Sequence, residues 1–80
     1  MENQNMDNQN LNDMKAIGTR IKNTRKEQGL SQEDLAGLSN TGRRFISDLE
    51  NGKPNIQTNK LLLVATALGL SLRLLNKWNK

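Results

Sequence analysis

Residues 31–52, SQEDLAGLSNTGRRFISDLENG, decide how this chain folds. Ser31 has the side chain of a helix N-cap, and Asp34 stands three residues later, where the acid of a capping box sits. The helix that starts there continues through Leu35, Ala36 and Leu38. Ser39-Asn40-Thr41-Gly42 is a dense cluster of turn formers. A second helix then covers about Gly42 to Glu50, with Ile46 and Leu49 facing inward. Asn51-Gly52-Lys53-Pro54 ends it, because Gly permits a left-handed cap and Pro cannot continue the helix. The centre of the fold is therefore a pair of short helices joined by a tight turn, the second opening on Gly42-Arg43-Arg44.

The flanking segments read outward from that pair. A first helix is expected from near Asp13, an N-cap candidate, to about Gln28, with Gly29 as its stop. Met14, Ile17 and Ile21 form its buried stripe, and Lys15, Arg20, Lys22 and Lys26 occupy its other face. After the central pair, a helix runs from about Thr58, another N-cap candidate, to Leu68, with Gly69 as its stop. Leu61, Val64, Ala65 and Leu68 match a core-facing stripe, whereas Leu62 and Leu63 fall off it and leave this helix apolar over much of its circumference.

Leu70-Ser71-Leu72-Arg73-Leu74 alternates apolar and polar residues, the period of a half-buried strand. A lone strand in a helical chain has nothing to pair with, and the same strand of a second copy would satisfy it across a two-fold axis. The competing reading is a short fifth helix whose leucines close the core. Either way Leu70, Leu72 and Leu74 are the candidate dimerisation residues. At the other end, the Asn- and Gln-rich start of the chain cannot bury enough surface to offset its ordering entropy. The expected organisation is a disordered tail over residues 1–12, a helical domain over 13–69, and a dimerisation strand and tail over 70–80. The fold class is all-α, with four to five helices and one short C-terminal β-strand.

Composition narrows the chemistry. The 80 residues carry a net charge of +4, and a basic domain favours a polyanion as partner, nucleic acid first. With no Cys and no His, the commonest metal ligands and the commonest general base are both missing, so neither an enzyme nor a metal site is expected. No cofactor or small-molecule ligand is expected either. No apolar stretch approaches the roughly 20 residues that span a bilayer. The N-terminus MENQNMDNQNLND lacks the basic and apolar regions of a signal peptide, so the expected location is cytoplasmic.

A helix that reads bases in the major groove needs long polar donors near its N-terminus. Arg suits this best, because its planar fork matches the O6 and N7 acceptors of guanine. Arg43 and Arg44 occupy those first positions, and Ser47 follows Arg43 by one helical turn on the same face. Phe45 stands between the arginines and Ile46, placed either to touch a thymine methyl or to pack against the preceding helix, and packing is the preferred reading. Helix N-termini also grip phosphates through free amides. Gln32 adds a side-chain donor at such a terminus, and Asn51, Gly52 and Lys53 form a loop of exposed amides with one cation. Thr41, in the turn, is assigned with them to phosphate contact.

The stretch from Ile17 to Ser71 resembles the lambda-repressor-like, or Cro/C1-type (XRE), helix-turn-helix family. The residues that carry the resemblance are Ile17, Ile21, Arg25, Gly29-Leu30-Ser31-Gln32, Leu35-Ala36, Ile46-Ser47, Leu49-Glu50-Asn51-Gly52-Lys53 and Ala67-Leu68-Gly69. It implies that Gln32 touches phosphate, that Arg43, Arg44 and Ser47 face the major groove of double-stranded DNA, and that Arg25 pairs with Glu50. Within that family, Phe45-Ile46-Ser47-Asp48-Leu49-Glu50-Asn51-Gly52-Lys53-Pro54 and the Leu-rich fourth helix are most similar to HipB-type antitoxins. That resemblance implies a dimeric autorepressor on a palindromic operator, with a HipA-like kinase toxin as second partner. The chain departs from the pattern at Gly42, where many members carry a larger side chain.

Overall fold

Four α-helices build the fold: α1 Met6–Glu27, α2 Gln32–Ser39, α3 Arg43–Glu50 and α4 Thr58–Leu68. They are seen in a computed structural model that describes the backbone of residues 6–70 and the side chains from Asp13 onward. The described residues contain no strand, so this part of the chain is all-α. The strand and the dimer contacts expected of Leu72 and Leu74 lie outside the described residues. Leu70 is within them, and it packs half-buried against the core beside α4.

The start of α1 and the cap of α4 differ from the sequence reading, while α4 itself spans the expected residues. Asp13 does not cap α1, which begins at Met6, so residues 6–12 of the tail expected to be disordered are helical. No Gly or Pro interrupts the segment from Met6 to Ile17. A helix already nucleated downstream extends through such a stretch one hydrogen bond at a time, without a second nucleation cost. Thr58 likewise does not cap α4. Gln57 is the N-cap, in extended conformation, and its carbonyl accepts the first helical bond from the Leu61 N–H at 3.0 Å.

α2 starts as its sequence dictates. The Ser31 hydroxyl accepts the Asp34 N–H, and the Asp34 carboxylate accepts the Ser31 N–H, both at 2.9 Å. These bonds from Ser31 hold the Asp34 carboxyl below the usual carboxylate range. All four helices then end in one pattern, in which a left-handed residue closes the last turn and the residue after it donates to the carbonyl five positions back. At the end of α2 that residue is Asn40, at φ 58°, the only described non-glycine with positive φ. At the end of α3 it is Gly52, at φ 75°.

Ile21 of α1, Leu35 of α2, Ile46 and Leu49 of α3 and Val64 of α4 are fully buried and meet in one core. Leu61, Leu68 and Ala36 complete it, while Met14 and Ile17 pack at its edge. Leu62 and Leu63 are exposed on α4 in keeping with their position off the stripe, and Leu38 on α2 is exposed as well.

The crossing of α1 over the end of α3 is unusually close. A Cβ built on Gly18 would overlap the carbonyl oxygen of Leu49 and lie 3.1 Å from that of Glu50. Sequence analysis did not single out Gly18. The available signal was an isolated Gly inside an otherwise helical pattern, which usually has a packing reason.

Candidate nucleic-acid interface

α3 presents its first turn to solvent. Its N-cap is Gly42, extended and without a side chain to bond the helix amides, and no acid occupies the first turn. The N–H groups at this end are thus available to an outside acceptor, at the positive end of the helix dipole. Arg43 and Arg44 are both exposed there, and Ser47 is half-buried one turn on. Phe45 points elsewhere: it packs against the core, with the Lys60 ammonium of α4 5.7 Å from its ring centroid. That distance admits a cation–π attraction.

What fixes α3 in place is a buried ion pair. Arg25 donates from Nε to one Glu50 carboxylate oxygen at 2.6 Å and from Nη2 to the other at 3.0 Å. Its Nη1 donates to the Leu30 carbonyl at 2.8 Å. The hydrogen bond to Glu50 is the main cause that pushes the Arg25 guanidinium pKa up. Gln32 Nε2 donates to the same Glu50 carboxylate at 3.1 Å. The end of α1, the start of α2 and the end of α3 are therefore clamped at one carboxylate, which accepts three hydrogen bonds.

Gln32, assigned to phosphate, thus spends one amide hydrogen on Glu50 and keeps the other. A polar depression lined by Arg25, Ser31, Gln32, Glu33 and Arg43 joins this residue to the head of α3. Thr41 is half-buried, and its hydroxyl shares a 2.9 Å hydrogen bond with that of Ser39. In the loop after α3, Asn51 and Lys53 are exposed. Gly52 sits against α1: a Cβ there would fall 2.9 Å from Cγ of Lys15, so the stem of a further cation is brought beside the Asn-Gly-Lys loop. The structure thus gathers the two ends of α3 and the start of α2, with exposed Arg43, Arg44 and Lys53 among them.

The helix-turn-helix family profile matches residues 21–75, which takes in α2, the turn and α3. The chain belongs to the Cro/C1-type helix-turn-helix family. Among its curated relatives in that family is an HTH-type transcriptional regulator, y4mF, of Sinorhizobium fredii, 49% identical over 59 residues, or 74% of this chain and 78% of the relative. The immunity repressor protein of Bacillus phage phi105 is 41% identical over 54 residues, covering 68% of this chain and 38% of that repressor. The control protein C.MunI of a Mycoplasma species is 38% identical over 64 residues, covering 78% of this chain and 86% of its own length. A helix-turn-helix domain of this family binds DNA, and these relatives are named as a transcriptional regulator, an immunity repressor and a control protein. No described helix is long and apolar enough to cross a membrane.

Proposed function

We propose that this protein is a sequence-specific, non-catalytic transcriptional repressor that binds a palindromic operator as a symmetric dimer in the cytoplasm. The observation that carries this is the pair of exposed guanidiniums, Arg43 and Arg44, at an uncapped helix start whose other end is clamped through Glu50. Arg43, Arg44 and Ser47 read base edges, while Gln32, Thr41, Asn51, Gly52 and Lys53 sit along the phosphates. Two copies place their reading helices in successive major grooves about 34 Å apart. Repression follows from occupying promoter DNA.

Selecting bound duplexes from a random pool tests the reading. The expected product is a two-fold symmetric motif with half-sites about 10–10.5 base pairs apart. Arg43→Ala and Arg44→Ala are each expected to weaken binding to the selected site, by about 1–3 kcal/mol for whichever makes a bidentate base contact. Unchanged affinity in both variants rejects the assignment of α3. Sedimentation at micromolar concentration without DNA is expected to give dimers, and a monomer there rejects pairing through Leu70, Leu72 and Leu74.

At a finer level we read the protein as a HipB-type antitoxin that represses its own operon and binds a HipA-like kinase toxin. The resemblance over Phe45–Pro54 and the Leu-rich α4 supports this. The names of the phage immunity repressor and of the control protein support instead a Cro/C1-type repressor with no toxin. A kinase reading frame beside this one, whose product co-purifies with the protein, separates the two.

A further inference from the structure

α3 carries a negative charge among its candidate reading residues. Asp48 stands one residue beyond Ser47 and one helical turn beyond Arg44, so Arg44 and Asp48 are neighbours on one face. Its side chain is about one-third exposed and meets the Lys53 ammonium at 3.6 Å. Lys53, the partner, is more than half exposed and belongs to the loop assigned to phosphate. At an exposed site such an ion pair contributes little to stability. A carboxylate at this place is therefore not explained by the fold, and facing duplex DNA it is repelled by every phosphate.

Resting on the repressor reading above, we propose that Asp48 is a specificity-determining residue. In the free protein its charge is balanced by Lys53. On DNA, Lys53 turns to a phosphate and the carboxylate is left to find a donor in the major groove. Of the two amino donors in the major groove, that of cytosine suits a carboxylate best, because the amino group of adenine has the N7 acceptor beside it. Where the duplex offers that group, Asp48 is satisfied. Where it offers guanine O6 or thymine O4 instead, two acceptors face each other and binding is penalised. Arg44 and Asp48 then read adjoining positions with opposite polarity, one seeking acceptors and the other a donor. Discrimination of this kind works by rejecting wrong sites as much as by holding the right one.

The test is Asp48→Asn in the full-length chain, a change of nearly equal size at a partly exposed position. Motifs are selected from a random duplex pool for both proteins, and each is titrated against its site and against non-cognate duplex. The variant is expected to lose the cytosine preference in one column of each half-site. Its ratio of specific to non-specific affinity is expected to fall roughly tenfold, largely because non-cognate binding tightens. A variant that selects the same column with the same preference overturns the proposal. Should the unmodified protein select no motif at all, the repressor reading fails with it, so the two failures are distinguishable.

Discussion

Glu50→Ala is expected to cost the domain about 3–5 kcal/mol, the loss typical when one partner of a buried ion pair is removed. At roughly 0.05–0.15 kcal/mol per residue, a chain of 80 residues has only about 4–12 kcal/mol of stability in total, so the variant should lose at least about a quarter of it and, at the low end of that range, all of it. The reason lies in what the carboxylate leaves behind. Arg25 would lose two charge-assisted bonds while staying buried, and Gln32 would lose its acceptor. The Arg25 Nη1 bond to Leu30 would remain and cannot neutralise the guanidinium. Glu50→Gln should lose less, because it keeps the shape and one acceptor oxygen. Urea unfolding of the two variants beside the unmodified chain measures this, and a loss below about 1 kcal/mol for Glu50→Ala would show that the clamp contributes no more than an exposed pair.

Gly18→Ala is expected to have the next largest effect, with a sign opposite to helix propensity. In an open helix, replacing Gly by Ala gains about 1 kcal/mol. At position 18 the new methyl would be driven into the backbone carbonyls of Leu49 and Glu50, which cannot rotate away as a flexible side chain would. Overpacking of this kind costs about 1–3 kcal/mol and occasionally more. Because the obstructed atoms belong to the last turn of α3, operator affinity should fall along with stability. Gly37→Ala is the control: its Cβ would meet nothing within 4 Å, so this exposed position of α2 should be stabilised slightly. A thermal melt showing Gly18→Ala as stable as Gly37→Ala would remove the close crossing from the account.

The sequence made the local signals legible and the long-range contacts mostly not. Ser31 with Asp34, and the stops at Gly29, Gly52 and Gly69, are written into neighbouring residues, and each is found where its local chemistry places it. The buried stripes of α3 and α4 follow from periodicity alone. α1 begins seven residues before Asp13, because a good cap residue is only a local preference and helix extension overrides it. Thr58 begins α4 as its position suggests, but the cap is Gln57, because the first helical bond closes on the Gln57 carbonyl. The meeting of Arg25 with Glu50, 25 positions apart, was implied by family resemblance and not by spacing. Gln32 joining the same carboxylate, Gly18 under the end of α3 and Lys60 over Phe45 all depend on how helices cross, which no pattern within one helix encodes.

The common way the four helices end also sets the polarity of the exposed main chain. At each finish, two amides fold back onto carbonyls of the last turn, so acceptors there are partly consumed inside the chain. At the beginnings of α3 and α4 no side chain bonds the leading amides. The main chain at those two starts therefore turns hydrogens outward, while part of the acceptors at the helix ends is already engaged within the chain. Those starts favour anions over cations before a single lysine or arginine is counted.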